Sequence, residues 1–221
     1  ISKLMPNLID DNSMNVDKIV EDEIKKSIKR LNIEQLDGYL LHTPTDFYNK
    51  STINALNKCK KQGLVKNIGV SIYEAQHALD VVRSGEVNYI QVPYNVFDQR
   101  LNTTDFFKIA KDNGVVVFAR SVFLQGLILM NDEEIPEHLQ LAREYLKKFD
   151  QIIFSYNLSR LEAAFLLVYM NPHIDYLVFG VDNINHLIED IEIADRKIEF
   201  GECMNELQNS FINIEKSIIF P

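Results

Sequence analysis

The stretch Leu-Asp-Gly-Tyr-Leu-Leu-His-Thr-Pro, residues 36–44, ends an apolar run in a histidine and then a proline. Short, continuous apolar runs of this kind are typical of strands buried on both faces. His42 is therefore an ionisable group where a buried strand ends. In a parallel α/β fold, binding and catalytic groups collect at the carboxyl ends of the strands, because the loops there converge on one crevice.

Polar residues also follow the ends of other predicted strands. They are Lys3, Thr43 next to His42, Ser71, Gln91 with Asn95, Arg120 with Ser121, and Gly180 with Asp182. Each one alone is compatible with an ordinary structural role, such as a solvated lysine or a satisfied histidine. Together they form a ring of the kind that the mouth of a barrel presents, and this favours a functional site there.

Strands and helices that could position these residues alternate about six times. The predicted strands are 1–4, 36–42, 65–71, 89–92, 115–119 and 176–179, and the predicted helices are 16–31, 49–62, 74–83, 104–111, 137–148, 158–170, 184–193 and 202–219. A polar, turn-rich stretch precedes the first helix, which Asn15 or Ser13 can cap, and Gly63 suits a left-handed cap after the second. No linker rich in Pro, Gly or Ser is present, so residues 1–221 are interpreted as a single domain with the last helix packed outside.

Right-handed βα crossovers are compatible with two main folds, the doubly wound open sheet and the eight-unit barrel. Periodicity alone does not choose between them. Two features favour a TIM-type (β/α)₈ barrel: no predicted strand is followed by a Gly-x-Gly-x-x-Gly loop, and polar residues follow several successive strands. Such a barrel would lack about two βα units, and we expect them upstream of Ile1, where the chain opens inside a strand-like segment.

Composition narrows the possible partners. The net charge of −9 and the pI near 5.1 argue against binding to nucleic acids or anionic membranes. No apolar run approaches the roughly 18 to 20 residues of a spanning helix, and no signal-like segment opens the chain, so we expect a cytoplasmic protein. Cys59 and Cys203 lie far apart and are interpreted as free buried thiols. No zinc-type spacing, P-loop or nucleophile elbow is present, and no metal site is predicted.

The motifs at the predicted strand ends resemble those of the aldo-keto reductases. The opening Ser-Lys-Leu resembles the family's third strand with its active-site lysine, and Tyr-Leu-Leu-His-Thr-Pro resembles the fourth strand with its active-site histidine. Residues 63–71, 89–95 and 120–127 are similar to the passages through the fifth, sixth and seventh strands. Residues 171–175 and 178–183 match the approach to the eighth strand and its helix. The resemblance covers almost the whole chain, in the right order.

The resemblance implies a barrel that binds NAD(H) or NADP(H) across the strand ends without a Rossmann motif. His42 would orient a substrate carbonyl, and Lys3 would lower the pKa of a catalytic tyrosine. Ser71 and Gln91 would hydrogen-bond the nicotinamide carboxamide. The remaining implied cofactor-binding residues form the loop around the pyrophosphate and the start of the last βα helix: Ser121, Phe123, Leu124, Gln125, Gly126, Asp182 and Asn183.

Three departures from the family pattern are visible. The family's catalytic tyrosine and its partner aspartate belong to the first two βα units, which this chain does not contain, and Tyr39, Tyr73 and Tyr94 do not fall in that motif. Ile72 stands where an asparagine commonly follows the serine. The segment 180–190 has no arginine and carries Asp190 in place of the usual asparagine. An acidic pocket should repel a 2′-phosphate, so the sequence favours NADH over NADPH.

Two functions remain open. The first is an oxidoreductase that reduces aldehydes or ketones, or oxidises alcohols, by hydride transfer, with the catalytic Tyr and Asp expected upstream of Ile1. The second is a shortened or degenerate family member that acts as a non-catalytic nucleotide-binding or regulatory module. The partner is expected to be a small carbonyl or alcohol. The loops 45–51 and 131–137 carry no group that selects one substrate class, and the sequence does not indicate an oligomeric state.

Overall fold

The computed structural model describes residues 1–9 and 15–220. Its strands are β1 Ser2–Lys3, β2 Leu36–Leu41, β3 Val65–Ser71, β4 Tyr89–Pro93, β5 Val116–Arg120 and β6 Tyr176–Val178. Its α-helices are α1 Val16–Leu31, α2 Pro44–Tyr48, α3 Lys50–Lys61, α4 Ala75–Ser84, α5 Phe106–Asp112, α6 Ala142–Ser155, α7 Arg160–Tyr169, α8 Ile184–Asp195, α9 Gly201–Ser210 and α10 Lys216–Ile219. Most of the turn-rich stretch predicted before α1, and Ser13 as its alternative cap, lie outside the described residues.

The chain divides into two compact units, residues 1–92 with 105–118 and residues 93–104 with 119–221. In the first unit the strands neighbour one another in chain order from β1 to β5, and the pairs from β1 through β4 are parallel. β5 continues into the second unit, where β6 is its neighbour. A doubly wound sheet reverses its strand order at a switch point. The described strands of the first unit contain no reversal, so the doubly wound alternative is excluded there.

Helix α1 shows how the local sequence specifies an element. Asn15 precedes it, and its side-chain oxygen accepts a hydrogen bond from the Lys18 N–H at 3.2 Å. The apolar residues recur at helical spacing, and Val20 and Ile24 are fully buried. The helix ends at Asn32, whose left-handed backbone lets its N–H reach the carbonyls of the last turn. Capping by Asn15 is thus confirmed.

The core of the second unit is apolar and rich in phenylalanine. The ring of Phe97 packs against those of Phe149 and Phe211, with centroids 6.2 and 5.3 Å apart. Cys203 and Leu207 on α9 are fully buried in the same core. The single outer helix predicted over 202–219 was therefore wrong: α9 and α10 are separate, and α9 contributes to the core. The break falls where Phe211 leaves the helix with its ring buried.

Two other elements differ from the sequence prediction. Pro44 was interpreted only as the residue that stops the strand, but it begins α2, because the fixed φ of proline suits the first position of a helix. The helix predicted over 137–148 begins later. Residues 137–139 form a 3₁₀ turn after Pro136, and α6 starts at Ala142.

Strand β6 and helix α8 of the second unit leave apolar side chains in solvent. Tyr176 and Val178 on β6 are exposed, although a parallel strand is usually buried on both faces. Ile184, Ile188 and Ile191 recur at helical spacing on α8 and are exposed as well. β6 and α8 therefore present apolar side chains to solvent.

Within residues 1–9 and 15–220, no individual helix combines the length and apolarity needed to cross a membrane. The pair α6 and α7 meets that test together by length and composition, and an 84° bend separates its two helices.

Gly63 after α3 provides a test of the predicted left-handed cap. Its φ is +76°, and a Cβ built there would lie 3.8 Å from the Gln35 side chain, an ordinary contact. We expect Gly63→Ala to lower the free energy of unfolding by about 1 kcal/mol through backbone strain alone. The matched control is Gly201→Ala at the start of α9, where an added Cβ meets nothing within 4 Å. Urea denaturation should show the control unchanged or stabilised; equal effects at both positions would contradict the assignment.

Candidate active site

Three of the predicted site residues meet at the strand ends of the first unit. The Lys3 ammonium donates to the Gln91 side-chain carbonyl and lies 3.5 Å from the Ser71 hydroxyl. Ser71 in turn donates to the same Gln91 oxygen at 3.2 Å. Ser71 and Gln91 are buried and Lys3 is half-buried. Side chains from β1, β3 and β4, up to 88 residues apart, therefore form one hydrogen-bonded group.

His42 follows the last residue of β2 and is half-buried. Leu41 is paired with Val70, the residue before Ser71, and Ser71 is paired with Gln91. His42 thus leaves its strand at the level of the sheet that Ser71 and Gln91 occupy. The imidazole and the polar group around Gln91 share the carboxyl-terminal edge of the first unit.

A carboxylate beside His42 was missed by sequence reasoning. Asp46 lies in the first turn of α2, is buried, and accepts a hydrogen bond from the Thr43 hydroxyl at 2.9 Å. Burial raises the pKa of Asp46, while the hydrogen bond from Thr43 and the nearby charge of His42 oppose that rise. The sequence Thr43-Pro44-Thr45-Asp46 did indicate this helix. A threonine followed directly by proline, with an acidic residue three positions after the threonine, is typical of a helix start.

Neither Tyr39 nor Tyr94 has the environment of a proton donor at neutral pH. Both are fully buried, and burial raises the pKa of each phenol. The Tyr94 hydroxyl is hydrogen-bonded to the side chain of Asn102 at 3.0 Å. The interpretation that these tyrosines are not substitutes for the family's catalytic one agrees with this placement.

The loop after β5 has an unusual backbone. Ser121, Leu124 and Gln125 have φ values of 60°, 47° and 55°, and Gly126 has a φ of 90°. Non-glycine residues seldom adopt left-handed conformations, and where they do the surrounding structure must hold them. Several N–H groups of this loop donate to carbonyls of the loop itself, among them Leu124 to Ser121 and Gly126 to Phe123, both at 2.9 Å, so internal hydrogen bonds maintain part of its conformation.

A cavity of about 650 Å³ lies beside this loop within the second unit. The loop, β6, the residues that follow it and α8 line the cavity: Ser121, Val122, Phe123, Gln125, Gly126, Leu129, Leu161, Val178, Phe179, Gly180, Val181, Asp182, His186, Glu189 and Asp190. The Phe123 ring packs edge-on against Phe179 with centroids 6.1 Å apart. Four of the predicted cofactor residues of the loop and Asp182 thus share one cavity.

The charged side chains among the described lining residues are Asp182, Glu189 and Asp190, with His186 beside them and no lysine or arginine. Asp190 is only 3% exposed. Burial raises its pKa and the adjacent Glu189 adds to this, while His186 acts in the opposite direction. The acidic side chains of this wall can accept hydrogen bonds from groups such as sugar hydroxyls, and they repel anions.

Two predicted cofactor residues occupy other positions. Leu124 is not among the lining residues, and its side chain is buried in the apolar core of the second unit. Asn183 caps α8, accepting from the N–H groups of Asn185 and His186 at 2.9 and 3.2 Å. Its side-chain oxygen is engaged by the helix, and Asp182 is the member of this pair that lines the cavity.

Cys59 and Cys203 are free and buried, as predicted. Burial raises the pKa of the Cys59 thiol, which keeps it protonated and unreactive at neutral pH. Within the described ranges, no group of three or more His, Cys, Asp or Glu side chains could hold a metal ion.

These observations define a parallel α/β protein with polar groups at the carboxyl ends of its strands. The aldo/keto reductase family model matches residues 9–203, and the chain belongs to that family. The fold agrees: an aldo-keto reductase from Bacillus halodurans in its holo form superposes with a TM-score of 0.75 over 93% of this chain and 71% of its own, at 18% identity. The predicted aldo-keto reductase fold is thus confirmed.

Sequence relatives include enzymes named for small carbonyls. The chain is 29% identical over 113 residues to the NADH-specific methylglyoxal reductase of Escherichia coli, matching 49% of this chain and 34% of the relative. It is 31% identical over 135 residues to the glyoxal reductase of Bacillus subtilis, matching 61% of this chain and 47% of the relative. The matched segments span about a third to a half of these relatives.

Proposed function

We propose that this chain is the larger part of an NAD(P)-dependent carbonyl reductase whose general-acid tyrosine and partner aspartate belong to βα units outside these 221 residues. The observation that carries the proposal is the contact of Lys3 with Ser71 and Gln91. A chance arrangement would not bring together three residues that match one family's site from three strands.

Each unit, taken by itself, has residues that suit one part of a nicotinamide dinucleotide. The cavity of about 650 Å³ could hold its adenosine half, and a Cβ built on Gly126 or Gly180 would meet no atom within 4 Å, so the backbone there is open to a ligand. Ser71 and Gln91 carry the donors and acceptors that the nicotinamide carboxamide needs. When bound, the nicotinamide supplies the hydride that reduces the carbonyl carbon.

The roles of the protein side chains follow from their chemistry. His42 would donate a hydrogen bond to the substrate oxygen and orient the carbonyl. The Lys3 ammonium would favour the ionised form of a neighbouring tyrosine and lower its pKa, which brings that acid within reach of neutral pH. The proton lost by the tyrosine would pass to the carbonyl oxygen as the alcohol forms.

The names of the relatives suggest small reactive aldehydes such as methylglyoxal and glyoxal as the substrate class. The decisive assay follows NADH oxidation at 340 nm with methylglyoxal, using the longest expressible chain that includes upstream residues. We expect His42→Ala and Lys3→Met to lower kcat/KM by about 10² or more. His138→Ala, at an exposed position far along the chain, is the matched control. An active His42→Ala variant would contradict the proposal.

The alternative, a nucleotide-binding module without turnover, has two observations in its favour. The tyrosine and aspartate of the family are not in this chain, and the pKa of Tyr39 and of Tyr94 is raised rather than lowered. NADH fluorescence enhancement without turnover in the longest chain would favour this alternative.

A further inference from the structure

The loop 121–130 needs external restraint. Three of its non-glycine residues have left-handed φ values, and a free chain would leave such a conformation. Its residues nevertheless form one wall of the cavity. The groups that hold the two ends of this loop therefore determine whether the wall exists before a ligand arrives.

Asn95 holds the amino end. It is fully buried, its side-chain amide donates to the Ser121 carbonyl at 3.0 Å, and its side-chain oxygen accepts from the Phe97 and Asp98 N–H groups at 2.9 and 3.0 Å. The Tyr94 N–H also donates to the Arg120 carbonyl at 3.1 Å. These bonds attach the start of the loop to a tight turn in the same unit.

Arg160 holds the carboxyl end. Its Nη1 donates to the Met130 carbonyl at 2.5 Å, while Nε and Nη2 donate to the two carboxylate oxygens of Asp150, both at 2.6 Å. Asp150 lies on α6 and Arg160 is the first residue of α7. The guanidinium is thus oriented by a two-point ion pair on one side and directs its remaining edge at the loop.

We propose that Arg160, oriented by Asp150, is a positioning residue that keeps the loop 121–130 in its dinucleotide-binding conformation. This inference rests on the proposed function. Arg160 is not among the cavity-lining residues and acts only through the Met130 carbonyl. A loop that is ordered in advance loses less conformational entropy when a ligand binds, so the ion pair should strengthen binding without touching the ligand.

The test compares four forms of the longest expressible chain that includes residues 1–221: wild type, Arg160→Met, Arg160→Lys and Arg196→Met. Arg196 is the matched control. It forms an ion pair with Glu162, which lies on α7 like Arg160, but Arg196 is exposed and outside the loop 121–130. The first readout is hydrogen exchange of the amides of 122–130 without ligand. The second is NADH affinity by fluorescence titration.

We expect Arg160→Met to raise loop exchange by at least about tenfold and to weaken NADH binding by about tenfold. Arg160→Lys should recover little of either, because an ammonium cannot span Asp150 and Met130 with a planar fork. Arg196→Met should match wild type. Unchanged loop exchange in a folded Arg160→Met variant would overturn the inference.

The two possible failures are distinguishable. If wild type binds NADH and Arg160→Met binds it equally well, the inference is wrong and the proposed function stands. If wild type binds no NADH, the proposed function of this cavity falls, and the exchange measurement still decides whether Arg160 orders the loop. Should Arg160→Met fail to fold, Asp150→Asn provides the second variant, with the same expected rise in loop exchange.

Discussion

NADH is expected to bind this chain about thirtyfold more tightly than NADPH. A 2′-phosphate in the cavity would approach Asp182, Glu189 and Asp190 without a lysine or arginine among the described lining residues. Two like unit charges about 8 Å apart repel by about 2 kcal/mol at an effective dielectric constant of about 20, and this energy corresponds to a ratio of about thirtyfold. Fluorescence titrations of the two nucleotides at equal ionic strength measure it directly.

The preference should depend on Asp190 and on pH. Asp190→Asn should reduce the ratio about fivefold, because it removes one buried negative charge from the wall. Asp195→Asn, at an exposed position at the end of the same helix, is the control and should leave the ratio unchanged. Because burial raises the pKa of Asp190, its carboxyl takes up a proton at a higher pH than usual, and the preference should fall as the pH is lowered through that value. Tighter binding of NADPH would refute the prediction.

The second large effect concerns stability. Lys3→Met should lower the free energy of unfolding by about 2 kcal/mol, because it leaves the Gln91 carbonyl without its charged donor in a buried position. Gln91→Met should cost a similar amount. The double variant should be less destabilised than the sum by about 1 kcal/mol, because the single changes remove the same interaction. Urea unfolding of the four proteins yields this coupling energy.

Lys66→Met is the matched control, since Lys66 is exposed on β3, the strand that also carries Ser71. Its effect should lie within about 0.5 kcal/mol of zero. Strictly additive effects of Lys3→Met and Gln91→Met would show that the contact between them does not form in solution, and the observation behind the proposed function would be lost.

Several features of the chain were predictable because neighbouring residues encode them. The apolar spacing of 16–31 and the capping side chain of Asn15 predicted α1, and Gly63 was correctly interpreted as a left-handed cap after α3. The ordered strand-end motifs predicted the family. Each of these signals lies within a few residues or in the order of motifs along the chain, so no knowledge of pairing was required.

The positions of the side chains in the candidate site could not be predicted from neighbouring residues or from motif order. Leu124 and Asn183 were assigned to cofactor binding from motif positions, and the sequence did not indicate that the Leu124 side chain is buried in the core or that the Asn183 side chain caps α8. Their roles toward a cofactor stay predictions. Asp46 was missed because α2 was missed. The direction of a side chain depends on local dihedrals that the motif does not specify.

By itself, the sequence determined the order of the βα units, most of the helix boundaries and the family of this protein, because periodicity, caps and motif order are local properties. Only the tertiary structure decided that Lys3, Ser71 and Gln91 are in contact and that Asn95 and Arg160 hold the ends of the loop 121–130. Those contacts join residues 20 to 88 positions apart, and strand register and helix packing, which depend on the whole unit at once, bring them together.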